Sequence, residues 1–490
     1  MFDTIHKFLF PSGDNVNRDF QKNPIDHSLQ LPAIFFANGI IFWAYVTFLF
    51  GGMYFVKLRF PDLLSHTSFT TLGRLQPVFY NALIFGFLGN GILLVVPWIL
   101  SRLSQVPVVN GGLLIVAGVF WNFGVAFAII DNFMGGIDSS FILSVPTASL
   151  RLWSVAYTVA MLWGILAFFN RKQRTSFVSQ WYLIAVAFAF PWICTIMVYM
   201  ADVLGISGVL PLILALWFEN NLIWLWLVPF FLSVVYYLVP KVAGITFDYY
   251  YFAATAFGSL LIIASWSGLG ILAGTAVPAW IPTVSEAMAM LLFFPVFIIS
   301  VTIGKAIFGN LPTLLHFPAL RFVFLSFFSF IALSIPAIAT AFPGWNHQVA
   351  FTQFRELSLL TGALCCAGTA LFAALYILLP RVTGINWVLP KISLLHFFAT
   401  LLGITLLLLG FWGSIYSQGS MQSETTGSSF IDISSNLSGW YSLQVIGFLT
   451  YMLGALLFLI NIKFLLSAWF FRLITVVDND SIELDRRKPA

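Results

Sequence analysis

Long runs of apolar residues, separated by short polar connections, fill almost the whole chain. Each run is long enough for a helix to cross about 30 Å of hydrocarbon at roughly 1.5 Å per residue. The pattern predicts an all-α integral membrane protein with twelve transmembrane helices and no interrupting soluble domain. The runs cover residues 32–56, 76–101, 112–131, 149–169, 178–201, 208–238, 248–273, 282–307, 319–343, 357–379, 391–415 and 439–471.

The same pattern divides the chain into three parts. Residues 1–31 are polar and contain no uninterrupted apolar stretch, so we expect a cytoplasmic tail there rather than a cleaved signal peptide. Residues 32–473 form the membrane domain, and residues 474–490 form a second charged tail.

Lysine and arginine are distributed unevenly between the two sets of connections, with nine in one set and five in the other. Cytoplasmic loops of membrane proteins carry the excess. Both termini should therefore be cytoplasmic, and the polar connection 416–438 should face outward. The nine are Arg102, Arg171, Lys172, Arg174, Lys241, Lys305, Arg321, Arg381 and Lys391, and the five are Lys57, Arg59, Arg74, Arg151 and Arg355.

The composition excludes several classes of protein. Hydrophobic residues make up 60% of the chain, charged residues only 8%, and the mean hydropathy is +0.96, whereas a soluble domain carries about 25% charged residues. The net charge of +4 gives no indication of a nucleic-acid partner. The three cysteines lie in apolar runs and no C-x-x-C-H sequence is present, so we expect neither a disulfide nor covalent haem.

Hydropathy leaves a secondary transporter, a channel and a respiratory-chain subunit as alternatives. Transporters usually contain two related halves with broken helices at matching places, and the chain has no convincing internal repeat. The aromatic content of 18% is typical of lipid-facing bulk and interface belts, although it would also suit the packing of flat macrocycles.

Ionisable residues collect where the tenth run begins. Arg355 and Glu356 directly precede its uncharged stretch, and His347 lies about two turns earlier. An ionisable side chain in or at the edge of a span is costly unless it is paired. These three residues are therefore candidates for a functional site.

Six stretches in a fixed order are informative together: GRLQPVFYNALIFGFLGN (Gly73–Asn90), FVSQWYLIAVAFAFPW (Phe177–Trp192), VVYYLVPKVAG (Val234–Gly244), ALYILLPRVTG (Ala374–Gly384), FWGSIYSQGSMQ (Phe411–Gln422) and GWYSLQVIGFLTYMLGALLFLIN (Gly439–Asn461). In order and spacing they resemble subunit I of the haem-copper oxidases, specifically the C-family, cbb-type cytochrome c oxidases. The resemblance implies the oxidase subunit I arrangement of helices in a bacterial inner membrane. Besides the lipid bilayer, it implies other membrane subunits of a respiratory-type complex as partners.

The family holds two haems and a copper ion through six histidines, since imidazole suits both metals. This chain also has six, namely His6, His27, His66, His316, His347 and His396, and none falls at a position where the resemblance places a ligand. Those positions hold Phe79 in the second run, Glu219 in the sixth, Gly270 and Ile271 in the seventh, and Arg355 and Leu357 in the tenth.

These replacements remove the donors that metal chemistry requires. Apolar side chains have no donor atom, and the arginine guanidinium offers no lone pair. A lone carboxylate at Glu219 does not make a copper site. We therefore expect no haem, no copper and no catalytic residue; haem b and copper would be expected only in a working oxidase. Phe79, Ile271 and Leu357 should instead fill the volume where the family holds porphyrin.

Arg74 and His347 occupy positions that the resemblance places near haem propionates and a bound divalent ion. The expected role of both in this chain is interfacial packing, and a metal ion at His347 is not expected.

Glu219 and Arg355 should face one central cavity if the resemblance holds. A buried acid and base that meet compensate each other's desolvation, so we predict an internal ion pair. The alternative is that Arg355 extends to the interface and Glu219 stays neutral in the bundle. Glu356 points about 100° away from Arg355 on a helix, so its partners should lie on another helix.

Three functions are compatible with these residues. The first is a non-redox relative of the oxidase core that serves as a scaffold, assembly or ion-conducting subunit. The second is a working terminal oxidase or nitric-oxide reductase. The third is a transporter that uses Glu219 and Arg355. The missing ligands favour the first.

Overall fold

The computed structural model describes residues 23–136, 142–245, 247, 250–423 and 429–486. Over these residues the protein is all-helical, and eleven helices are long and apolar enough to span a membrane. The predicted span 248–273 contains a shorter helix of 15 residues. In chain order the helices are α1 Gln30–Arg59, α2 Leu72–Ser104, α3 Gly111–Met134, α4 Thr147–Phe169, α5 Val178–Val203, α6 Leu210–Ala243, α7 Tyr250–Ala264, α8 Trp280–Phe308, α9 Pro318–Ala339, α10 Phe354–Thr383, α11 Ile392–Ser423 and α12 Phe430–Arg486.

The prediction of a polar loop over 416–438 is wrong. α11 continues to Ser423 and α12 begins at Phe430, so most of this stretch is helical; residues 424–428 lie outside the described chain. The indole nitrogen of Trp440 donates to the hydroxyl of Ser417 at 3.0 Å. The two helices therefore stay in contact beyond their apolar runs. These contacts stabilise helical structure at polar residues, which hydropathy does not reveal. Residues 474–486 of the predicted tail 474–490 are likewise helical, since α12 continues to Arg486.

Three helices form the interior of the bundle. The most apolar windows of α2, α6 and α10 are 100%, 100% and 94% buried, whereas those of the other spans are 39–56% buried. A helix with apolar residues on all of its faces is stable only where protein or lipid covers every face. Since the outer helices supply this surround, α2, α6 and α10 carry the residues that can meet at the centre.

Glycine allows the closest helix contacts. A Cβ atom on Gly91 of α2 would lie 2.4 Å from the Leu371 side chain of α10, and one on Gly403 of α11 would lie 2.4 Å from the backbone nitrogen of Tyr451 in α12. Small residues at such crossings let backbones approach, which is how membrane helices gain packing energy without a hydrophobic driving force.

Each interior helix also contains a π-helical stretch, at Ala82–Leu88 in α2, Leu222–Leu227 in α6 and Thr361–Ala367 in α10. The stretch in α10 contacts the other two. A π-turn inserts one residue into the α-helical register and often occurs at functional sites. The insertions therefore re-aim the side chains that reach the centre of the bundle.

Candidate functional site

The centre of the site is an ion pair between Glu219 of α6 and Arg355 of α10. Glu219 lies three positions before the π-helical stretch of α6, and Arg355 is the second residue of α10. The Nη2 atom of Arg355 lies 2.7 Å from Oε2 of Glu219. The side chains are 29% and 7% exposed, respectively. The predicted ion pair is confirmed, and the alternative in which the two residues stay apart is wrong.

The second carboxylate oxygen of Glu219 is also bonded. The backbone N–H of Ile142, in the connection between α3 and α4, donates to Oε1 at 2.8 Å. A buried carboxylate is stable only when its charge is paired and its remaining lone pairs accept hydrogen bonds. Both conditions are met at Glu219. The contribution of Ile142 had no signal in the sequence.

The ion pair lines a small pocket. Its volume is about 80 Å³, and its wall includes Trp224, Leu333, Gly270 and Ile271. A water molecule needs at least about 10–15 Å³ on this measure, so the pocket has room for a few waters. Four of the six predicted ligand positions therefore converge here, at residues 219, 270, 271 and 355.

The other two predicted ligand positions lie in apolar packing. Phe79 is fully buried, with ring centroids 4.7 Å from Tyr80, 5.5 Å from Phe448 and 6.0 Å from Tyr54. Leu357 is 3% exposed. Both side chains are thus in the protein core, and their occupation of the porphyrin volume stays a prediction.

Glu356 has a separate set of partners. Its Oε1 atom accepts hydrogen bonds from the phenols of Tyr54 on α1 at 2.5 Å and Tyr80 on α2 at 3.1 Å. Its Oε2 atom accepts a longer bond of 3.4 Å from the amide of Gln353. The carboxyl is 5% exposed, and none of the ion pairs among the described residues includes it. The expectation that Glu356 faces other helices is confirmed.

This network extends to the last two helices. The Oε1 atom of Gln353 accepts hydrogen bonds from Ser414 of α11 at 2.9 Å and from Gln444 of α12 at 3.0 Å. Polar side chains from five helices are thus linked through one buried carboxyl and its neighbouring amide. Apart from Glu356, the sequence analysis missed these residues, because a single tyrosine or glutamine in an apolar run has no distinctive spacing.

Arg74 and His347 lie apart from the ion pair. The Nη1 atom of Arg74 donates to the carbonyl of Phe133 at 3.0 Å, and its guanidinium lies 5.7 Å from the Phe69 ring centroid. This contact holds the end of α3 against the start of α2. His347 is exposed on the short helix Pro343–Val349.

The buried histidine of the bundle, His396, is enclosed by aromatic rings. Its Nδ1 atom lies 3.0 Å from the Tyr376 hydroxyl, and its ring centroid lies 4.4 Å from that of Phe322. Within the described part of the chain, no three His, Cys, Asp or Glu side chains converge as a metal site would require.

Comparisons with known proteins give a consistent result. Residues 32–450 match the family model described as cytochrome C and quinol oxidase polypeptide I. A cytochrome c oxidase subunit 1 homolog of Agrobacterium tumefaciens is 24% identical over 86% of this chain and 81% of its own length. Cytochrome c oxidase subunit 1 of Rhodobacter capsulatus is 25% identical over 86% and 82%. The cbb3-type cytochrome c oxidase subunit CcoN1 of Stutzerimonas stutzeri is 24% identical over 79% and 83%.

Proposed function

The chain belongs to the family of cytochrome c and quinol oxidase polypeptide I. Within this family, we propose that it is a divergent, non-redox member. Its role would be that of a scaffold in a respiratory-type complex of the bacterial inner membrane. Large apolar side chains are exposed on the outer helices, where lipid or partner subunits would cover them; examples are Phe42, Phe120 and Leu453.

One observation carries the proposal: an ion pair stands where the resemblance places two metal ligands. Arg355 cannot donate a lone pair, and one oxygen of Glu219 bonds Arg355 while the other bonds the backbone of Ile142. The carboxylate is therefore committed to protein partners. Phe79 and Leu357 add no donor atom, so the residues present do not fit two haems or a copper ion.

The volume of the pocket is consistent with the lack of ligands for haem and copper. A pocket of about 80 Å³ beside the ion pair has room for a few waters but not for a macrocycle. Around Phe79, aromatic rings are packed so closely that a Cβ atom on Gly51 would lie 2.7 Å from the Phe79 ring.

We also propose twelve membrane crossings with both termini in the cytoplasm. Asp26 and His27 share a pocket with Trp469 and Arg472 near the other end of the chain, which supports an even number of crossings. α7 would supply the twelfth together with the residues that follow it, because its own 15 residues extend only about 22 Å of the roughly 30 Å hydrocarbon core. The excess of lysine and arginine supports the cytoplasmic side for this face.

Ion conduction is a second possible function, favoured by the hydrogen-bonded network around Glu356. An intramembrane carboxyl without a cationic partner is a functional-site hypothesis in itself. Proteoliposomes containing the purified chain and a pH-sensitive dye would test it. Conduction predicts a proton flux that Glu356→Gln reduces, whereas equal dye signals in loaded and empty vesicles would argue against it.

The scaffold proposal is tested in a bacterial host whose own terminal oxidases have been deleted. Membranes containing the chain together with its natural partners should show no cyanide-sensitive oxygen uptake, while other membrane subunits should co-purify with it. The Stutzerimonas stutzeri relative, expressed in the same host, is the positive control. Cyanide-sensitive uptake that depends on this chain would restore the oxidase interpretation, and purification without any partner would argue against a scaffold.

A further inference from the structure

A second, larger pocket lies at the end of the bundle that carries the short helix Pro24–Ser28. We call it the basic pocket; its polar lining includes Arg102, Lys172, Gln173, Tyr237 and Lys241. Its volume is about 630 Å³, within the range of about 300–1,000 Å³ that is usual for ligand sites. No aspartate or glutamate is among the described residues that line it.

The positive charges of the basic pocket come from three separate elements and are only partly compensated. Arg102, at the end of α2, is paired with Asp26 at 2.8 Å. Lys172 and Lys241 have exposed side chains, and neither takes part in an ion pair with any described residue. Two uncompensated ammonium groups therefore border one concave site.

The basic pocket also contains a buried donor. Tyr237 is 5% exposed, and its hydroxyl lies near the Arg102 guanidinium but makes no hydrogen bond of normal geometry to the described residues. Buried polar atoms are nearly always bonded in folded proteins, and an exception calls for a ligand or water. A hydroxyl beside cationic side chains is suited to donate to an anion.

Hydrogen bonds join the backbone segments that carry the lining residues of the basic pocket. The hydroxyl of Ser28 accepts from the backbone N–H of Val108 at 3.0 Å. The backbone N–H of Lys172 donates to the carbonyl of Ser104 at 3.2 Å, and Gln180 donates to the hydroxyl of Ser104 at 3.2 Å. A site held in place before binding does not have to be ordered by its ligand.

One wall of the basic pocket is apolar and lies beside the start of α5. Leu103 and Phe177 line the basic pocket, and Phe177 is 43% exposed. The hydroxyl of Tyr250 donates to the carbonyl of Ser176, next to Phe177. Aromatic side chains in this position are typical of the interface between lipid tails and headgroups.

We infer that the basic pocket binds a phosphate group, and that its source is an anionic phospholipid. Lysine ammonium groups bind phosphate as point charges, and basic pockets between membrane helices bind anionic headgroups. The apolar wall at Leu103 and Phe177 would contact the acyl chains of such a lipid, which a free phosphate ion lacks. The inference does not depend on whether the chain binds haem.

The test uses the purified, delipidated full chain in detergent. It is titrated with short-chain phosphatidylglycerol, with phosphatidylcholine and with inorganic phosphate, and binding is measured by native mass spectrometry. Phosphatidylglycerol should bind more tightly than phosphatidylcholine. Lys172→Gln and Lys241→Gln should each weaken its binding about fivefold, and the double variant about 25-fold. Lys391→Gln, an exposed lysine outside the basic pocket, is the matched control and should have no effect.

Thermal unfolding without lipid checks that the variants fold, which is expected because both lysines are exposed. Tyr237→Phe preserves the ring and should also weaken binding. Competition by inorganic phosphate with equal strength would keep the phosphate site but assign its source to the free ion. Equal affinity for the two lipids, or a double variant that binds like Lys391→Gln, would overturn the inference.

Discussion

The ion pair at the centre of the bundle can be tested by a double-mutant cycle. Glu219→Gln keeps the shape of the side chain and an oxygen that accepts from Ile142, but removes the negative charge. Arg355→Leu removes the positive charge and keeps an apolar chain of similar width. The double variant removes both charges together.

The structure predicts unequal losses for the two single variants. Without Arg355, the Glu219 carboxyl is left 7% exposed with only the Ile142 N–H as a partner, which should cost about 3–5 kcal/mol of unfolding free energy. Without Glu219, the guanidinium of Arg355 is 29% exposed and can reach water. The loss should then be smaller, about 1–3 kcal/mol. The double variant should recover about 2–3 kcal/mol relative to the sum.

The assay is reversible unfolding in mixed detergent micelles, followed by tryptophan fluorescence. The matched control is the Arg151–Asp202 pair, whose side chains are 58% and 28% exposed. Its cycle should give a coupling of about 0–1 kcal/mol, as is usual for exposed pairs. Additive losses at Glu219 and Arg355, or a coupling no larger than that of the control pair, would refute the reasoning.

Other predictions concern the remaining buried features. Glu356→Gln keeps an oxygen that accepts from both phenols and should change stability little. Glu356→Leu leaves both phenols unpaired and should cost about 1–3 kcal/mol for each donor. Equal losses of stability in the two variants would contradict the network. Gly403→Ala forces a backbone clash with α12 and should lower the melting temperature, whereas Gly52→Ala, with no atom within 4 Å of the new Cβ, should not; equal melting temperatures would contradict this helix contact. Phe79→Ala should cost about 3–5 kcal/mol as a core cavity, and a loss below about 1 kcal/mol would mean that the ring is not tightly packed.

Much of the fold follows from the sequence because a bilayer imposes one simple rule. Each crossing must be a long apolar helix. Eleven of the predicted runs therefore coincide with helices, and the ends of these helices differ from the ends of the runs by a few residues or more. α7 is shorter than its apolar run, because the backbone leaves the helix after Ala264 and forms a tight turn at Gly270–Leu272. The helical residues 416–423 and 430–438 depend on contacts between α11 and α12, which hydropathy does not measure.

The sequence predicted only those residues of the site whose charge makes burial costly. Glu219 and Arg355 stand out in apolar surroundings, and desolvation favours their meeting. The phenols of Tyr54 and Tyr80 lie 302 and 276 positions from Glu356 in the sequence, without any pattern that links them to it. The π-helical stretches of α2, α6 and α10 arise where the interior helices pack against one another, so the local sequence gives no sign of them.

The most direct measurement is the haem content of the purified chain, separated from its partner subunits. Extraction of haem, together with a reduced-minus-oxidised spectrum, is compared with the Stutzerimonas stutzeri relative prepared in the same way. Because Phe79, Glu219, Arg355 and Leu357 supply no ligand for haem, we predict a colourless protein without stoichiometric haem. Haem b bound in stoichiometric amount to this chain would contradict the non-redox assignment.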